Sequence, residues 1–489
     1  MSLVGIDIGS SAVKAVAYRE SGSMLARAHE AAPSLHPAPG FWEIDADEVW
    51  RATVRVVRRL TSSPRLRHDP PAALAVSASG RESFPSRADG SALGPCLRTA
   101  DGRHPRSEAA AIMPRSREQW IRACGHVPDH MDPTNRLLWW RETAPRTLDK
   151  ARWFLGWHEL ASLRLVGRPI VDPALASGFL IYDLATGNWS TDRLAGLDLD
   201  GRLLPEVVPW GTPLDRIRPG AARELGLPSR CQFVVGSWDG SCAAVGSAVV
   251  EEGDALVSVG TWESVVAPVA RPHVRRAALA RLAVTPQPST PGTGLWARSP
   301  NGTSVVNWAR GVTRIGLRDL AAGLREAGAG PSPVLVVPHL SGAPAPWPDA
   351  RDSAGMVFGL TLATSSLELV KATMEGVACE LCFAIDALGA AGSPIQRCRV
   401  AGGGAKSAWW MQLKADLLGI PVEVPNQAEP GTFGAALLAG VGLGTYRSLA
   451  EAAERVAIGG RFDPDVERGA AYRSKVSRHR AAVEGKAPQ

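Results

Sequence analysis

Three features that mark common classes of protein are missing from this sequence. No uninterrupted apolar run reaches about 18 residues, the length that a membrane-spanning helix needs, so we do not expect the chain to cross a membrane. No run of lysine and arginine alternates with aromatic residues, which argues against a nucleic-acid partner although the formal net charge is +6. The first residues show neither the basic nor the apolar segment of a secretory signal, so we expect a cytoplasmic protein.

Cysteine is scarce and is not arranged for disulfides or for metal binding. The chain has 7 cysteines, an odd number in 489 residues. Cys379 and Cys382 form a CxxC sequence, but they lie in a segment with helical periodicity, with no second pair and no partnering histidine. We therefore interpret the cysteines as buried thiols in a reducing compartment, rather than as zinc ligands or a redox pair.

The length and the internal pattern predict two domains of similar architecture. A chain of 489 residues exceeds the roughly 250–300 residues at which single hydrophobic cores stop growing. Residues 3–18 have the pattern of strand, tight turn and strand, and the same pattern returns just after residue 254. Between the two repeats, residues 247–254 predict a boundary, which gives domains 1–246 and 247–489.

The first segment with chemical potential is GIDIGSSAVK, residues 5–14. A strand that ends near Asp7 and a turn at residues 9–11 place backbone N–H groups and two hydroxyls around one point, as a phosphate group requires. Asp7 is positioned to hold a hydrated Mg²⁺ beside them. Taken alone, a hairpin turn rich in glycine and serine is more often structural.

The second segment is VVGSWDG, residues 234–240, which contains Asp239. This residue follows a buried strand and begins a helix of small residues, so a helix-capping role explains its position as well as a catalytic role does. As a catalytic group it would accept the proton of a hydroxyl during phosphoryl transfer. An aspartate with an ordinary pKa of about 4 is a weak base, which suits a loose transition state in which the proton leaves late.

Two further segments lie in the second half of the chain. VSVGTWES, residues 257–264, repeats the glycine–hydroxyl turn, although that turn does not explain Glu263. AGGGAKS, residues 401–407, lies between a strand and a helix, and its three glycines offer a flat surface for a nucleotide ring. It matches neither a P-loop nor a dinucleotide-binding pattern, and when it is considered alone a flexible turn is the favoured explanation.

The order of these segments resembles that of the FGGY carbohydrate kinases, within the superfamily of actin, Hsp70 and sugar kinases. MDPTNRLLWWRE (131–142) is similar to one family signature, with Arg136 where lysine is usual, and GMVFGLTLATSSLELVKATMEG (355–376) matches a second one throughout. SGAPAPW (341–347) and EPGTFGAALLAG (429–440) are also similar to the family, so the resemblance covers essentially the whole chain.

The resemblance implies an α/β fold class with two RNase H-like (actin-like ATPase) domains and a catalytic cleft between them, which closes over ATP, Mg²⁺ and a sugar. It assigns catalysis to Asp239 and a magnesium-proximal position, through water, to Asp7. The acceptor-binding residues that it implies are Arg81, Glu82, Asp101 and Asp239. The ATP-binding residues that it implies are Gly9, Ser10, Ser11, Lys14, Gly260, Thr261, Gly302, Asn307, Gly403, Gly404 and Ser407.

The acceptor side departs from the family pattern. SGRES, residues 79–83, is similar to the Arg-Glu-Thr of glycerol kinases, and Arg81 with Glu82 would suit a vicinal diol. A surface ion pair is the alternative explanation of these two residues. Thr99 stands where the family has tryptophan, and Gly240 stands where it has asparagine or glutamine. Both changes remove bulk and polar contacts, which argues against glycerol and D-xylulose and allows a larger or differently shaped polyol or ketose.

We therefore expect an ATP-dependent kinase that phosphorylates a small sugar or polyol, with no nucleic-acid or membrane partner. Two alternatives keep the fold: a non-catalytic ATP-binding regulator, and an ATPase directed at a protein partner. The retention of Asp239 and of both phosphate turns argues against the first alternative, and Arg81 with Glu82 argues against the second. The sugar, the hydroxyl that is phosphorylated and the oligomeric state stay open, with a homodimer as one alternative.

Overall fold

The computed structural model describes residues 1–99, 101–328, 330–347 and 353–486. The chain divides into two compact units, each formed from separate stretches of sequence. Unit 1 contains residues 1–250, 285–293 and 427–456, and unit 2 contains the remainder of the described chain. A single boundary near residue 247 would assign residues 427–456 to the second domain, and the domain limits drawn from the sequence stay a prediction.

Unit 1 is built on a six-stranded sheet with the order β5-β6-β4-β1-β2-β3. Its strands are β1 (Ser2–Ile8), β2 (Ala12–Arg19), β3 (Met24–Ala31), β4 (Pro71–Ala78), β5 (Pro213–Arg216) and β6 (Gln232–Trp238). The first three strands form an antiparallel meander, whereas β1, β4 and β6 run parallel to one another. The near-continuous apolar sequences of the central strands fit this position, because they are buried on both faces of the sheet.

The second sheet has seven strands in the order β9-β10-β8-β7-β11-β12-β13 and repeats this topology. Its strands are β7 (Asp254–Val259), β8 (Glu263–Pro268), β9 (Ala283–Pro286), β10 (Thr293–Ser299), β11 (Arg397–Ala401), β12 (Val422–Pro425) and β13 (Ile458–Phe462). Strands β7, β8 and β10 are antiparallel neighbours, and β7, β11 and β12 are parallel. The two predicted hairpins are therefore equivalent parts of two similar sheets.

The helices that matter for the site flank these sheets. They are α1 (Ala46–Thr61), α2 (Trp157–Val166), α3 (Pro173–Ser177), α4 (Asp239–Gly246), α5 (Thr303–Thr313), α6 (Ser366–Ala390), α7 (Ala408–Leu418), α8 (Pro430–Gly442) and α9 (Val466–Val483). Further α-helices are Pro64–His68, Ala109–Ile112, Arg117–Cys124, Pro133–Thr143, Pro145–Asp149, Thr191–Gly196, Pro219–Leu225, Val274–Leu279, Leu317–Glu326 and Leu449–Ala453, and Gly201–Leu203 and Gly403–Lys406 are 3₁₀ turns. The short strands outside the main sheets are Glu43–Ile44, Phe84–Ser86, Cys96–Leu97, Trp153–Leu155, Ile170–Val171, Tyr182–Asp183, Asn188–Trp189, Glu206–Val207, Leu335–Val337 and Met356–Phe358.

Helix α8 shows why residues late in the sequence belong to unit 1. It packs so closely on β1 and α4 that a Cβ at Gly5 would lie 1.7 Å from the carbonyl oxygen of Thr432. A Cβ at Gly434 would lie equally close, 1.7 Å, to the carbonyl oxygen of Cys242. Only glycine permits such backbone contacts, so the sequence of α8 and its neighbours specifies this packing.

The cysteines lie in the interior of the protein. All seven cysteines are buried free thiols, including Cys379 and Cys382 on α6. Over the part of the chain that the structure describes, no helix combines the length and the apolar character needed to cross a bilayer.

Candidate active site

Three of the predicted site segments meet at one edge of the first sheet. Strands β1, β4 and β6 are parallel neighbours, so their carboxyl ends lie side by side. Asp7 is near the end of β1, the segment with Arg81 and Glu82 follows β4, and Asp239 follows β6 directly. The carboxyl edge of a parallel sheet is where ligands bind in open α/β folds.

Asp239 is the first residue of α4, and its carboxylate has an unusual environment. Burial raises its pKa from 3.8 to about 7, and the negative charges of Asp7 and Glu82 add to this effect. The backbone N–H of Gly240 donates to its Oδ1 at 2.7 Å and opposes the shift. The carboxylate is therefore a stronger base than the ordinary aspartate expected from the sequence.

The end of β6 is held in place by buried polar groups. The hydroxyl of Ser237 donates to Oδ2 of Asp172 at 2.7 Å, and Asp172 caps α3. The N–H of Gly236, at an irregularity in the pairing of β4 and β6, donates to Nε2 of His158 at 3.2 Å. Burial lowers the pKa of His158 to about 4, so this ring is neutral and can accept that hydrogen bond. These contacts fix the backbone immediately before Asp239.

Asp7 is half-buried and lies beside β4 and α8. The hydroxyl of Ser77 donates to its Oδ1 at 2.7 Å, and a Cβ at Gly431 would lie 3.4 Å from the same oxygen. Burial raises the pKa of Asp7, and the charge of Lys14 opposes the rise. A carboxylate is the oxygen ligand that Mg²⁺ prefers, so the donor chemistry of this position suits a hydrated magnesium ion.

The first glycine–serine turn is as predicted in shape. The N–H of Gly9 donates to the carbonyl of Ala12 at 3.1 Å, which closes the turn, and both Ser10 and Ser11 are exposed at its tip. Lys14 pairs with Asp7 across the hairpin, and its Nζ donates to Oε2 of Glu429 at 2.6 Å. Lys14 is therefore anchored to the residue that precedes α8.

Arg81 and Glu82 are held by different partners. Arg81 forms an ion pair with Asp132, whose side chain is fully buried. Glu82 is buried, and its carboxylate accepts hydrogen bonds from the hydroxyls of Ser79 at 2.6 Å and Thr99 at 3.3 Å. The geometry differs from a surface ion pair, because Arg81 pairs with a buried carboxylate and Glu82 is itself buried and held by two hydroxyls.

Asp101 has a different setting from the other predicted acceptor residues. Its buried carboxylate accepts hydrogen bonds from the guanidinium of Arg103 at 2.6 Å and from the N–H of Trp42 at 2.7 Å. The fully buried Arg136 lies 3.4 Å from its other oxygen. Although burial opposes ionisation, these donors hold the pKa of Asp101 below its usual value. In the structure Asp101 thus stabilises its own loop, and its part in acceptor binding stays a prediction.

The space beside Gly240 is not open, although its sequence position led us to expect an opening. A Cβ at Gly240 would lie 2.5 Å from the indole ring of Trp238. The bulk that is missing at residue 240 is replaced by the side chain two positions earlier.

The second glycine–hydroxyl turn joins two predicted nucleotide segments within unit 2. The N–H of Gly302 donates to the carbonyl of Thr261 at 3.1 Å, and both the N–H and the hydroxyl of Thr303 donate to the carbonyl of Gly260 at 2.8 Å. A Cβ at Gly302 would lie 2.6 Å from the Gly260 oxygen. Thr261 stays exposed at the tip of this double turn, next to the N-terminus of α5.

Gly302→Ala tests whether this double turn serves the nucleotide. The added methyl group must push the two turns apart, so we expect the KM for ATP to rise by about tenfold or more while the KM for the acceptor changes little. Steady-state kinetics with each substrate varied in turn measure the two values. Gly311→Ala, at an α5 position with open space around the Cα, is the matched control and should leave both values unchanged. Equal KM values for ATP in Gly302→Ala and in the wild type would contradict this assignment.

The remaining residues predicted to bind the nucleotide are two glycines in the loop after β11 and two polar residues at or on helices. Gly403 is exposed with open space above its Cα, as a flat surface requires, whereas Gly404 is buried and packs against Val259. The hydroxyl of Ser407 accepts the N–H of Trp410 and caps α7, and Asn307 is exposed on α5. The loop that carries the three glycines follows β11, next to the turn that follows β7.

Two features were not found from the sequence, and one open question is answered. The motifs that contain Asp132 and Trp238 indicate neither the ion pair of Asp132 with Arg81 nor the contact of the Trp238 ring with Gly80 and Gly240. Glu263, which the turn pattern did not explain, forms an ion pair with Lys414 at 2.7 Å between two buried side chains. This pair connects β8 to α7 within unit 2 and is structural.

Comparison with known proteins agrees with this description. The chain matches the family model for the N-terminal domain of the FGGY family of carbohydrate kinases over residues 2–246, and the model for its C-terminal domain over residues 255–443. It is 27% identical to the xylulose kinase of Escherichia coli over 479 residues, which covers 96% of both chains. It is 28% identical to the glycerol kinase of Delftia acidovorans over 501 residues, which covers 95% of both chains.

The fold has a counterpart among solved structures. A xylulose kinase from Rhodospirillum rubrum superposes with a TM-score of 0.90 over 99% of both chains, at 22% sequence identity. The two-domain actin-like ATPase fold that the sequence predicted is thus confirmed. The chain belongs to the FGGY family of carbohydrate kinases, and its enzyme class is an ATP-dependent phosphotransferase.

Proposed function

We propose that this enzyme transfers the terminal phosphate of ATP to a hydroxyl of a small sugar or polyol, with Asp239 as the general base. The observation that carries this proposal is the position of Asp239 at the carboxyl edge of three parallel strands, with a pKa raised to about 7. A base is most effective when its pKa lies near the working pH. A large fraction of it is then unprotonated, and its affinity for a proton is still high. The N-cap position of α4 is Trp238, so Asp239 is not the capping residue that the sequence allowed.

The proposed acceptor site combines a donor and acceptors of hydrogen bonds. Arg81 presents a fork of N–H groups, and Glu82 and Asp239 present carboxylate oxygens, so together they can bind neighbouring hydroxyls of one molecule. Asp132 and Ser79 orient the Arg81 and Glu82 side chains before the acceptor arrives. Such preorganisation supports a polyhydroxylated substrate, because it lowers the entropy cost of binding.

The residues present fit ATP and magnesium. Gly9 and the exposed serines 10 and 11 form one turn suited to phosphate oxygens, and Gly260 with Thr261 form a second. Asp7 would hold magnesium through water, and the bound ion would neutralise negative charge on the phosphates. Gly403 would contact the adenosine part of the nucleotide across its open face.

In the proposed mechanism, the chain orients the acceptor hydroxyl and removes its proton. Arg81 and Glu82 fix the sugar so that one hydroxyl faces Oδ2 of Asp239, whose Oδ1 is occupied by the N–H of Gly240. Asp239 takes the proton as the hydroxyl oxygen bonds to the phosphorus, and ADP leaves. The acceptor oxygen thus loses its proton to Asp239 and gains the phosphoryl group from ATP, and ADP is the leaving group.

The pH dependence of the reaction follows from the environment of Asp239. Below its pKa the carboxylate is protonated and cannot accept a proton, so kcat/KM for the acceptor should fall about tenfold per pH unit on the acid side of about pH 7. Glu82→Gln removes a negative charge that raises this pKa, so its acid limb should move to lower pH. Initial rates at saturating magnesium-ATP test this, and a flat profile between about pH 5.5 and 8 would contradict it.

Glu82→Gln also tests the acceptor site. The amide cannot accept both hydrogen bonds and orient the sugar as the carboxylate does, so we expect the acceptor KM to rise by about tenfold with little change in the KM for ATP. Glu48→Gln, which changes a half-exposed glutamate on α1, is the control and should behave like the wild type. Equal increases in both KM values would remove Glu82 from the acceptor site.

The experiment that tests the proposed function is an ADP-release assay with a panel of ketoses, pentitols, tetritols and glycerol. We expect ADP release to depend on one or a few of these compounds and to be negligible with ATP alone. Release with ATP alone, without stimulation by any sugar, would overturn the proposal. The comparisons give no support to a non-catalytic or protein-directed role.

A further inference from the structure

The indole ring of Trp238 lies between the backbone segments that carry Arg81 and Asp239. Trp238 is the last residue of β6 and directly precedes Asp239. A Cβ at Gly80, the residue before Arg81, would lie 3.1 Å from the indole Cδ1. A Cβ at Gly240, the residue after Asp239, would lie 2.5 to 2.8 Å from three atoms of the six-membered ring. The ring therefore extends from the Arg81 segment to the start of α4.

The ring, and not the backbone conformation, explains the glycine at position 240, and it contributes with Leu175 to the tight space at Gly80. Neither Gly80 nor Gly240 has a positive φ angle, so an L-residue would suit the backbone at both positions. The three atoms nearest to a Cβ at Gly240 all belong to Trp238. The indole thus excludes a side chain at position 240, and the glycine there leaves space for this ring.

The Trp238 side chain is half-buried and packs against the core of unit 1. A Cβ at Gly80 would lie 3.1 Å from the side chain of Leu175 on α3, as close as it would lie to the indole. Asp172, which caps α3, also holds Ser237 through its carboxylate. The same buried group thus fixes both the residue before Trp238 and the helix that packs beside it.

We infer that the half-buried indole of Trp238 is the platform on which the acceptor stacks its C–H face, and that it selects carbohydrates with one continuous apolar face. This inference rests on the proposed function. The ring is apolar, and its neighbours Gly80 and Gly240 adjoin Arg81 and Asp239, the residues proposed to bind the hydroxyls, so one ligand can use both kinds of surface. A sugar does so, because its C–H groups and its hydroxyls point in different directions.

Three variants at one position separate stacking from space filling. In Trp238→Phe an aromatic face remains, so the acceptor KM should stay within about threefold of the wild type. In Trp238→Leu and Trp238→Ala that face is lost, so the acceptor KM should rise by about tenfold or more, with the KM for ATP unchanged. A melting temperature for each variant shows that the fold is intact. Equal acceptor KM values for the Leu and Phe variants, or a parallel rise in the KM for ATP, would overturn the inference.

Gly240→Ala provides a second and independent test. The added methyl group must displace the indole, so the acceptor KM should rise in the wild-type background and should not rise further in Trp238→Ala. The same increase in both backgrounds would show that residue 240 acts without the ring, and would overturn the inference. If the wild type released ADP with no carbohydrate at all, the proposed function would fail and the stacking role with it. An active wild type with an unaffected Trp238→Ala would remove the stacking role only.

Discussion

Asp239→Asn is expected to lower kcat by about a thousandfold while ATP still binds with nearly unchanged affinity. The amide keeps the size of the side chain but cannot accept the proton of the acceptor hydroxyl. The residues proposed to bind ATP lie elsewhere in the sequence, so the nucleotide affinity should not depend on this carboxylate. ADP release and direct ATP binding measure the two effects separately.

The same substitution should stabilise the protein at alkaline pH. The pKa of Asp239 is 3.8 in the unfolded reference and about 7 in the folded chain, so stability falls as the pH rises between these values. Above pH 7 the full free-energy cost of holding the charged carboxylate in the fold is present. Asn removes this cost, so the free energy of unfolding should rise by roughly 1–3 kcal/mol. This is less than the whole pKa shift would give, because the carboxylate is partly exposed. We expect a higher melting temperature at pH 8, and no such change for the exposed control Asp215→Asn. A lower melting temperature would show that the charge is stabilised in the fold.

Lys414→Met is expected to cause the largest loss of stability. Its ammonium group lies 2.7 Å from the carboxylate of Glu263, and both side chains are buried. The substitution leaves a buried carboxylate without its partner, which typically costs about 3–5 kcal/mol. Burial already raises the pKa of Glu263, and loss of the lysine charge should raise it further. Chemical denaturation of the purified protein measures the change in the free energy of unfolding.

A double substitution separates the pair from general damage to the core. Glu263→Leu in the Lys414→Met background removes the unpaired charge, so much of the lost stability should return. Lys486→Met breaks an exposed pair with Glu484 and should change the free energy of unfolding by less than about 1 kcal/mol. If Lys414→Met lowered the free energy of unfolding no more than this control does, the claim that the buried Lys414–Glu263 pair is needed for stability would be contradicted.

Local sequence patterns were sufficient for the main elements of the fold. The two strand–turn–strand repeats, which begin at Ser2 and Asp254, can be predicted from local sequence. Each depends only on short apolar runs and a glycine turn. The packing of α8 with unit 1 is not local. It depends on the fit between Gly5 and Thr432, which are far apart in the sequence, and a linear pattern contains no signal of such a contact.

The candidate site could be predicted to the same extent. Asp7 and Asp239 lie at the ends of apolar strands, so their positions made them candidates, whereas Glu82 was indicated by the family resemblance. The sheet brings the ends of these strands to one edge. The raised pKa of Asp239 could not be predicted, because it comes from burial and from carboxylates distant in sequence. The position of the Trp238 ring was equally hidden, since Gly240 alone indicated an empty space.

The most direct test of the central role of Asp239 is a single-turnover measurement. Excess enzyme is mixed with ATP labelled in its terminal phosphate and with the acceptor that the wild type uses best, and labelled sugar phosphate is followed in time. This observes the chemical step itself, whereas kcat in many enzymes reports product release. We predict transfer about a thousandfold slower in Asp239→Asn than in the wild type. Transfer within a few-fold of the wild-type rate would contradict the account.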